Sequence, residues 1–280
     1  MKLILGTANL NKKYGLNFKN NPSKSEFLKI VEYSKKKITY MDYSDEYSNF
    51  LNFDIFKHFK IIFKLRLNKK NNLVSQVELI KIITNKLKKK NLKKVDTIMF
   101  HRSHEIYNLN KKTFKNVITF LKKNICNKIG VSIYEPSELN KIYKLFKPDI
   151  IQCPFNIFDK RIYKSGWLKK AKLNGAKIHV RSVFLQGLLF RNADNLPSRF
   201  LKYKKFFKKI DLYIMKKNIK KIDLYLNDLK LYKKFIDYVV IGVLNLNQLK
   251  EINTSLKKKI IKNNIKFKKV PIQLYDPRKW

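Results

Sequence analysis

The stretch KIIFKLRLNKKNNLVSQVELIKIITNKLKKKNLKKVDTIMFH (60–101) holds two apolar runs with an amphipathic one between them. KIIFKL (60–65) and VDTIMFH (95–101) are short and apolar on both faces, the pattern of strands covered on two sides. QVELIKIITNKLKKK (76–90) carries its apolar residues at helical spacing. A helix between two such strands brings the chain back to the same end of a sheet, so the strands pair in parallel.

The unit recurs in both directions. LILGTA (3–8), ITYMDYS (38–44), KIGVSI (128–133), DIIQCPF (149–155), KIHVRSV (177–183) and YVVIGVL (238–244) bring the apolar runs to eight. Helical patterns separate them at 23–37, 111–124, 136–146, 166–175, a pair within 200–233, and 246–261. The first opens on Ser23 and Glu26, the spacing of a capping box. Eight strand–helix units over residues 1–280 predict one α/β domain, a closed (β/α)8 TIM barrel. The rival, a doubly wound open sheet, needs fewer strands and G-x-G-x-x-G after the first; that turn reads GTANLNKKYG (6–15). The longest irregular stretch, Phe184 to about Arg199, follows the seventh strand and is expected over the barrel mouth.

Charge narrows the partners. The chain has 64 Lys+Arg against 20 Asp+Glu, a net charge of +44. Such a field attracts nucleic acid, anionic membrane or phosphorylated ligands. The excess is nearly all lysine, dispersed, and accompanied by abundant Asn and Ile, as an A/T-rich genome produces. No nucleic-acid partner is therefore expected, although RFLKYKKFFKK (199–209) interleaves aromatic and basic residues. Cys126 and Cys153 make no disulfide framework and no C-x-x-C occurs. The apolar start of the chain is too short for a signal peptide and no run approaches a membrane span. A soluble, cytoplasmic protein is expected, as a monomer or small homo-oligomer.

In a barrel of this kind chemistry sits at the C-terminal strand ends. Those ends offer Gly6-Thr7, Asp42 and then Tyr47, Lys64, His101, Ser132, Gln152 and Asn156, Arg181-Ser182, and Gly242. A lysine inside KIIFKL is costly to bury unless an acidic group meets it. The pair His101 and His104 lacks an acidic or Cys partner, so no metal is expected.

The motifs LILGTA with YG, MDYSDEY (41–47), IIFKL (61–65), DTIMFH (96–101), IGVSIYEP (129–136), IIQCPFN (150–156), VFLQGLL (183–189) and VVIGVLNLNQLKEI (239–252) resemble, in order, those of the aldo-keto reductases. The resemblance runs from Leu3 to Glu251 and is closest to bacterial members with FLQGLL after strand seven and a tail like DPRKW (276–280). It implies a catalytic tetrad at Asp42, Tyr47, Lys64 and His101. Tyr47 would be the general acid of carbonyl reduction, with a pKa lowered by the Lys64 ammonium that Asp42 holds. His101 would donate a second hydrogen bond to the carbonyl oxygen and orient the substrate.

The resemblance also implies a nicotinamide dinucleotide. Gly6 and Thr7 lie on its expected path. Ser132 and Gln152 would bind the nicotinamide amide. Arg181, Ser182, Val183, Phe184, Gln186, Gly187 and Leu188 would follow the pyrophosphate. Gly242, Val243 and Gln248 would meet the adenosine phosphate at a helix start. The lysine-rich surface favours NADP(H) over NAD(H). The chain departs from the family pattern at Ile133, where Asn is frequent, at Arg181, where an aromatic ring is frequent, and at Ile252, with Asn253 one residue off. The expected substrate is an aldehyde or ketone, including sugar derivatives. A barrel without turnover and a basic nucleic-acid-associated protein are the rival readings.

Overall fold

A computed structural model describes residues 1–10, 15–16, 21–44, 46–47, 53–67, 75–260 and 265–280. Asp45, one of two acidic residues between Asp42 and Tyr47, lies outside the described residues, as does part of the predicted pocket loop 45–58. Eight parallel strands close into a barrel in sequence order. They are β1 (Lys2–Gly6), β2 (Tyr40–Ser44), β3 (Lys60–Leu65), β4 (Val95–Phe100), β5 (Cys126–Ser132), β6 (Ile150–Pro154), β7 (Lys177–Arg181) and β8 (Tyr238–Ile241). β1 pairs with β8 through Leu3 with Val239 and Ile4 with Val240, which closes the ring.

All the predicted helices form: α1 (Lys24–Lys35), α3 (Gln76–Lys88), α4 (Lys111–Asn124), α5 (Glu138–Leu145), α7 (Trp167–Leu173), α8 (Lys204–Lys217), α9 (Lys221–Lys230) and α10 (Leu246–Lys257). Among the described residues three single-turn helices, α2 (Phe53–Phe56), α6 (Arg161–Lys164) and α11 (Ile272–Tyr275), are too short to carry a periodic signal. Ser23 caps α1 by accepting from the Glu26 N–H. Ser75 caps α3 in the same way through Glu78.

Period-two alternation sorts each strand. Leu5, Met41, Phe63, Phe100, Val131, Ile151, Val180 and Ile241 face outward under the helices in the main core. Ile4, Tyr40, Ile62, Met99 and Ile150 pack together inside the barrel, with Tyr238 and Val240 against them. The lumen is filled: a Cβ on Gly130 would stand 3.1 Å from Met99 Cε and 3.2 Å from Ile150 Cβ. Below this layer Lys128 Nζ lies 3.3 Å from both Asp96 Oδ2 and the Tyr40 hydroxyl.

The stretch after β7 is a chain of 3-10 turns, Leu185–Phe190, Ala193–Asn195 and Ser198–Tyr203, leading into α8. With α8, α9 and the tail it forms a second core that includes Phe158, Leu188, Phe200, Phe207, Tyr225 and Leu274. Phe200, Tyr203, Phe206 and Phe207 of the aromatic-basic stretch are buried there, so these rings present no face to a stacked base. Among the described residues no helix is long and apolar enough to cross a membrane. Both thiols are buried, and burial pushes Cys126 up to about 11 and Cys153 up to about 12.

Candidate active site

The alternation that fills the lumen also builds the site. Asp42 is two residues beyond Tyr40, Lys64 two beyond Ile62, His101 two beyond Met99 and Gln152 two beyond Ile150. Each therefore faces the axis on the C-terminal side of an apolar lumen residue of its own strand. Ser132 and Arg181 likewise stand two residues beyond Gly130 and His179.

Lys64 Nζ is 2.8 Å from Asp42 Oδ1, with both side chains almost fully buried. Gln152 closes the group. Its Nε2 donates to Asp42 Oδ2 at 2.7 Å, and its Oε1 accepts from Lys64 Nζ at 3.3 Å. Burial works against the Lys64 ammonium, but Asp42 and Tyr47 together raise its pKa above the usual lysine range. Lys64 is thus held charged. Thr7 fixes the neighbouring backbone, its N–H and Oγ1 both donating to the Asp42 carbonyl at 3.1 and 2.9 Å.

Gln152 thereby bridges the ion pair with one N–H and its carbonyl oxygen, a role the sequence reading assigned to nothing. The only hint lay in IIQCPF, which puts an amide at the level of two charged strand residues. Gln152→Leu leaves one Asp42 oxygen without this donor and is expected to cost about 1–3 kcal/mol. Urea denaturation checks this; an unchanged midpoint would mean that the amide is dispensable.

Tyr47 approaches from the loop after β2. Its ring centroid is 5.5 Å from Lys64 Nζ and 6.3 Å from the His101 ring. The direction of its pKa corrects the expectation. Desolvation raises it, Lys64 and Arg181 lower it, Asp42 raises it, and the net shift is upward. The sequence showed the ammonium but not the burial that outweighs it.

His101 is held neutral. Desolvation, then the charges of Lys64, Arg181, Arg66 and Arg102, push it down to about 2. Its Nδ1 is buried without a hydrogen bond, 3.8 Å from Glu46 Oε2. Glu46 is turned toward Arg66, which holds it at 2.8 Å and reaches Glu105 at 3.3 Å. This rim network also escaped the sequence reading, because its members lie on three separate segments.

A neutral buried histidine has a stability signature. Its folded pKa is depressed, so stability is full above about pH 6.5 and falls as the unfolded chain takes up the proton. His179, 2% exposed with an unpartnered Nδ1, is held down to about 4 by burial. From pH 6.5 to 4.5 the two histidines are expected to remove up to about 5 kcal/mol. Urea midpoints across that range test this, and His179→Gln should flatten about half of the dependence.

The predicted cofactor residues divide. Ser132 is buried at the mouth beside Gln152. After β7, Ser182, Leu185, Gln186 and Gly187 all have positive φ, between 48° and 91°. Such backbone persists only where its surroundings over-determine it, which is common at ligand sites. Val183 and Leu188 are buried in the cores, leaving only their backbone for a ligand, and Phe184 packs on Phe190. Gly242 lies against Asn9, whose Nδ2 donates to the Val243 carbonyl at 2.6 Å. The start of α10 is capped from within. Asn245 Oδ1 accepts from Gln248 N, Gln248 Oε1 accepts from Leu244 N, and Glu26 Oε1 accepts from Leu246 N. A phosphate arriving there must displace Glu26. Among the described residues no group of His, Cys, Asp and Glu is placed to hold a metal.

No protein-family model and no curated protein matches the chain. Solved structures do. An aldo-keto reductase of Bacillus halodurans in its holo form matches with TM-score 0.66 and 16% identity over 93% of this chain and 88% of that one. A glycerol dehydrogenase of Gluconobacter oxydans matches with TM-score 0.63 and 15% identity over 93% and 87%. A thermostable aldo-keto reductase in complex with epalrestat matches with TM-score 0.62 and 16% identity over 92% and 90%. The protein has the (β/α)8 barrel fold of these aldo-keto reductases.

Proposed function

We propose that the protein is an NAD(P)H-dependent carbonyl reductase with Tyr47 as its general acid. The observation that carries this reading is a buried, charged Lys64 paired with Asp42 at the barrel mouth, beside Tyr47 and a neutral His101. Buried lysines are expensive, and one held charged in a mouth beside a phenol is a mark of a functional site.

A reduced nicotinamide, when bound, supplies the hydride that reaches the carbonyl carbon. The oxygen gains charge as this happens and takes the Tyr47 proton, so the C=O becomes CH–OH. Lys64 stabilises the phenolate left behind, which recovers its proton from solvent. His101 donates a hydrogen bond to the same oxygen. The net upward shift of Tyr47 keeps the proton in place until charge develops. Ser132 and the turn from Ser182 to Leu188 would hold the cofactor, with Gly6, Gly242 and Val243 along its path. The surface charge favours NADP(H) over NAD(H), and Glu26 opposes it at the α10 end. The substrate is an aldehyde or ketone, with sugar derivatives among the candidates.

The test is direct. NADPH and NADH are titrated while their fluorescence is followed, and a panel of aldehydes and keto-sugars is screened at 340 nm, a wavelength at which reduced nicotinamide absorbs. Saturable binding and consumption of reduced cofactor are expected. Binding of neither cofactor removes the proposal.

A further inference from the structure

Only seven of the 64 basic residues are arginine. In a chain that uses lysine for its surface, an arginine marks a place where a planar fork matters. Arg66, Arg161 and Arg278 each meet carboxylates. Arg181 meets none among the described residues. Its Nη2 donates to the Ile133 carbonyl at 3.0 Å, and its Nη1 makes a long contact of 3.4 Å with Ser182 Oγ. Of five N–H donors, three have no acceptor among the described residues.

The side chain is also held in place. Its guanidinium carbon lies 4.0 Å from the Tyr134 ring centroid, and that of Arg278 lies 4.0 Å from the same ring. Arg278 is fixed in turn by Asp276 and by Glu135, the latter at 3.0 Å. The tail DPRKW thus anchors Tyr134, and Tyr134 gives Arg181 a flat support. A preorganised guanidinium with free donors is suited to a carboxylate or phosphate.

Arg181 ends β7 two residues beyond His179, the register partner of Gln152, and it acts electrostatically on Tyr47, Lys64 and His101. Of the other cations acting on His101, Lys64 is balanced by Asp42 and Arg66 by Glu46 and Glu105, and Arg102 is exposed to solvent. We infer that Arg181 binds an anionic group, carboxylate or phosphate, on a substrate whose carbonyl reaches Tyr47. This rests on the reductase reading for the carbonyl but not for the anion. A phosphate of the cofactor is the other source of the same chemistry, and the measurement separates the two.

Succinate and uncharged 1,4-butanediol are titrated by calorimetry into wild type, Arg181→Gln and Arg181→Lys, at about 150 mM salt to screen the surface lysines. Succinate is expected to bind wild type and to lose about tenfold or more in Arg181→Gln, with Arg181→Lys between them. Succinic semialdehyde and butanal are then compared as substrates, and their ratio of kcat/KM should fall by a similar factor. Circular dichroism confirms that each variant is folded. Equal succinate binding by wild type and Arg181→Gln overturns the inference, and so does no succinate binding by wild type. A loss confined to NADPH or NADP+ affinity overturns it too, in favour of the cofactor. If no aldehyde is reduced yet succinate binding depends on Arg181, the reductase reading falls and the anion site stands. If aldehydes are reduced with no preference for charge, the reverse holds.

Discussion

Tyr47→Phe is expected to lower kcat by about 10³-fold while the dissociation constant of NADPH changes by less than about threefold. The variant keeps the ring that packs near Tyr43 and His101 and removes only the oxygen. The other members of the group around Lys64 are poorer proton donors. His101 is neutral with a depressed pKa, Lys64 is held charged by Asp42, and Ser132 is a far weaker acid. Because Tyr47 titrates above its ordinary value, wild-type activity should show no alkaline loss from this group below about pH 10. Steady-state kinetics and cofactor fluorescence on the same preparations decide the matter. Undiminished turnover would mean that another group is the acid.

The second large effect is on stability. Asp42→Asn leaves the Lys64 ammonium buried without its counter-charge, at a cost of about 3–5 kcal/mol. For a chain of this size that corresponds to a Tm lower by on the order of 10 °C. The sign with pH follows. In wild type the folded pKa of Lys64 is raised, so the pair stabilises fully below about pH 10 and the contribution fades above it. In Asp42→Asn, burial acts unopposed and depresses the pKa, so stability should recover as pH rises toward 10. The double variant Asp42→Leu with Lys64→Met removes both charges and should regain most of the loss. A double variant as unstable as the single one would show that the cost comes from packing instead.

The barrel was legible because parallel strands must be covered on both faces. Eight apolar runs such as KIIFKL and YVVIGVL announce such strands, and Ser23 marks where the first helix between them starts. The charged members of the site were legible for the complementary reason. Asp42 and Lys64 interrupt strands that otherwise admit only apolar residues, so each demands a partner. What the sequence could not show depends on distance in space. Gln152 joins Asp42 from 110 positions away, and Arg278 reaches Glu135 from 143. Glu26 at the start of α10 comes from 220 positions away, and no local pattern signals it. The direction of the Tyr47 shift was misjudged on the same ground, since burial is a property of the closed mouth and not of the MDYSDEY motif.

The central claim is that these side chains place a carbonyl to receive hydride on carbon and a Tyr47 proton on oxygen. Its most direct test is a single turnover with NADPH carrying deuterium at the transferable position of nicotinamide carbon 4, using an aldehyde found in the screen. The account predicts the label at the carbinol carbon of the product alcohol at the wild-type rate, with Tyr47→Phe binding the cofactor but transferring label about 10³-fold more slowly. Label retained on the cofactor, or label transferred equally fast without the Tyr47 hydroxyl, would contradict it.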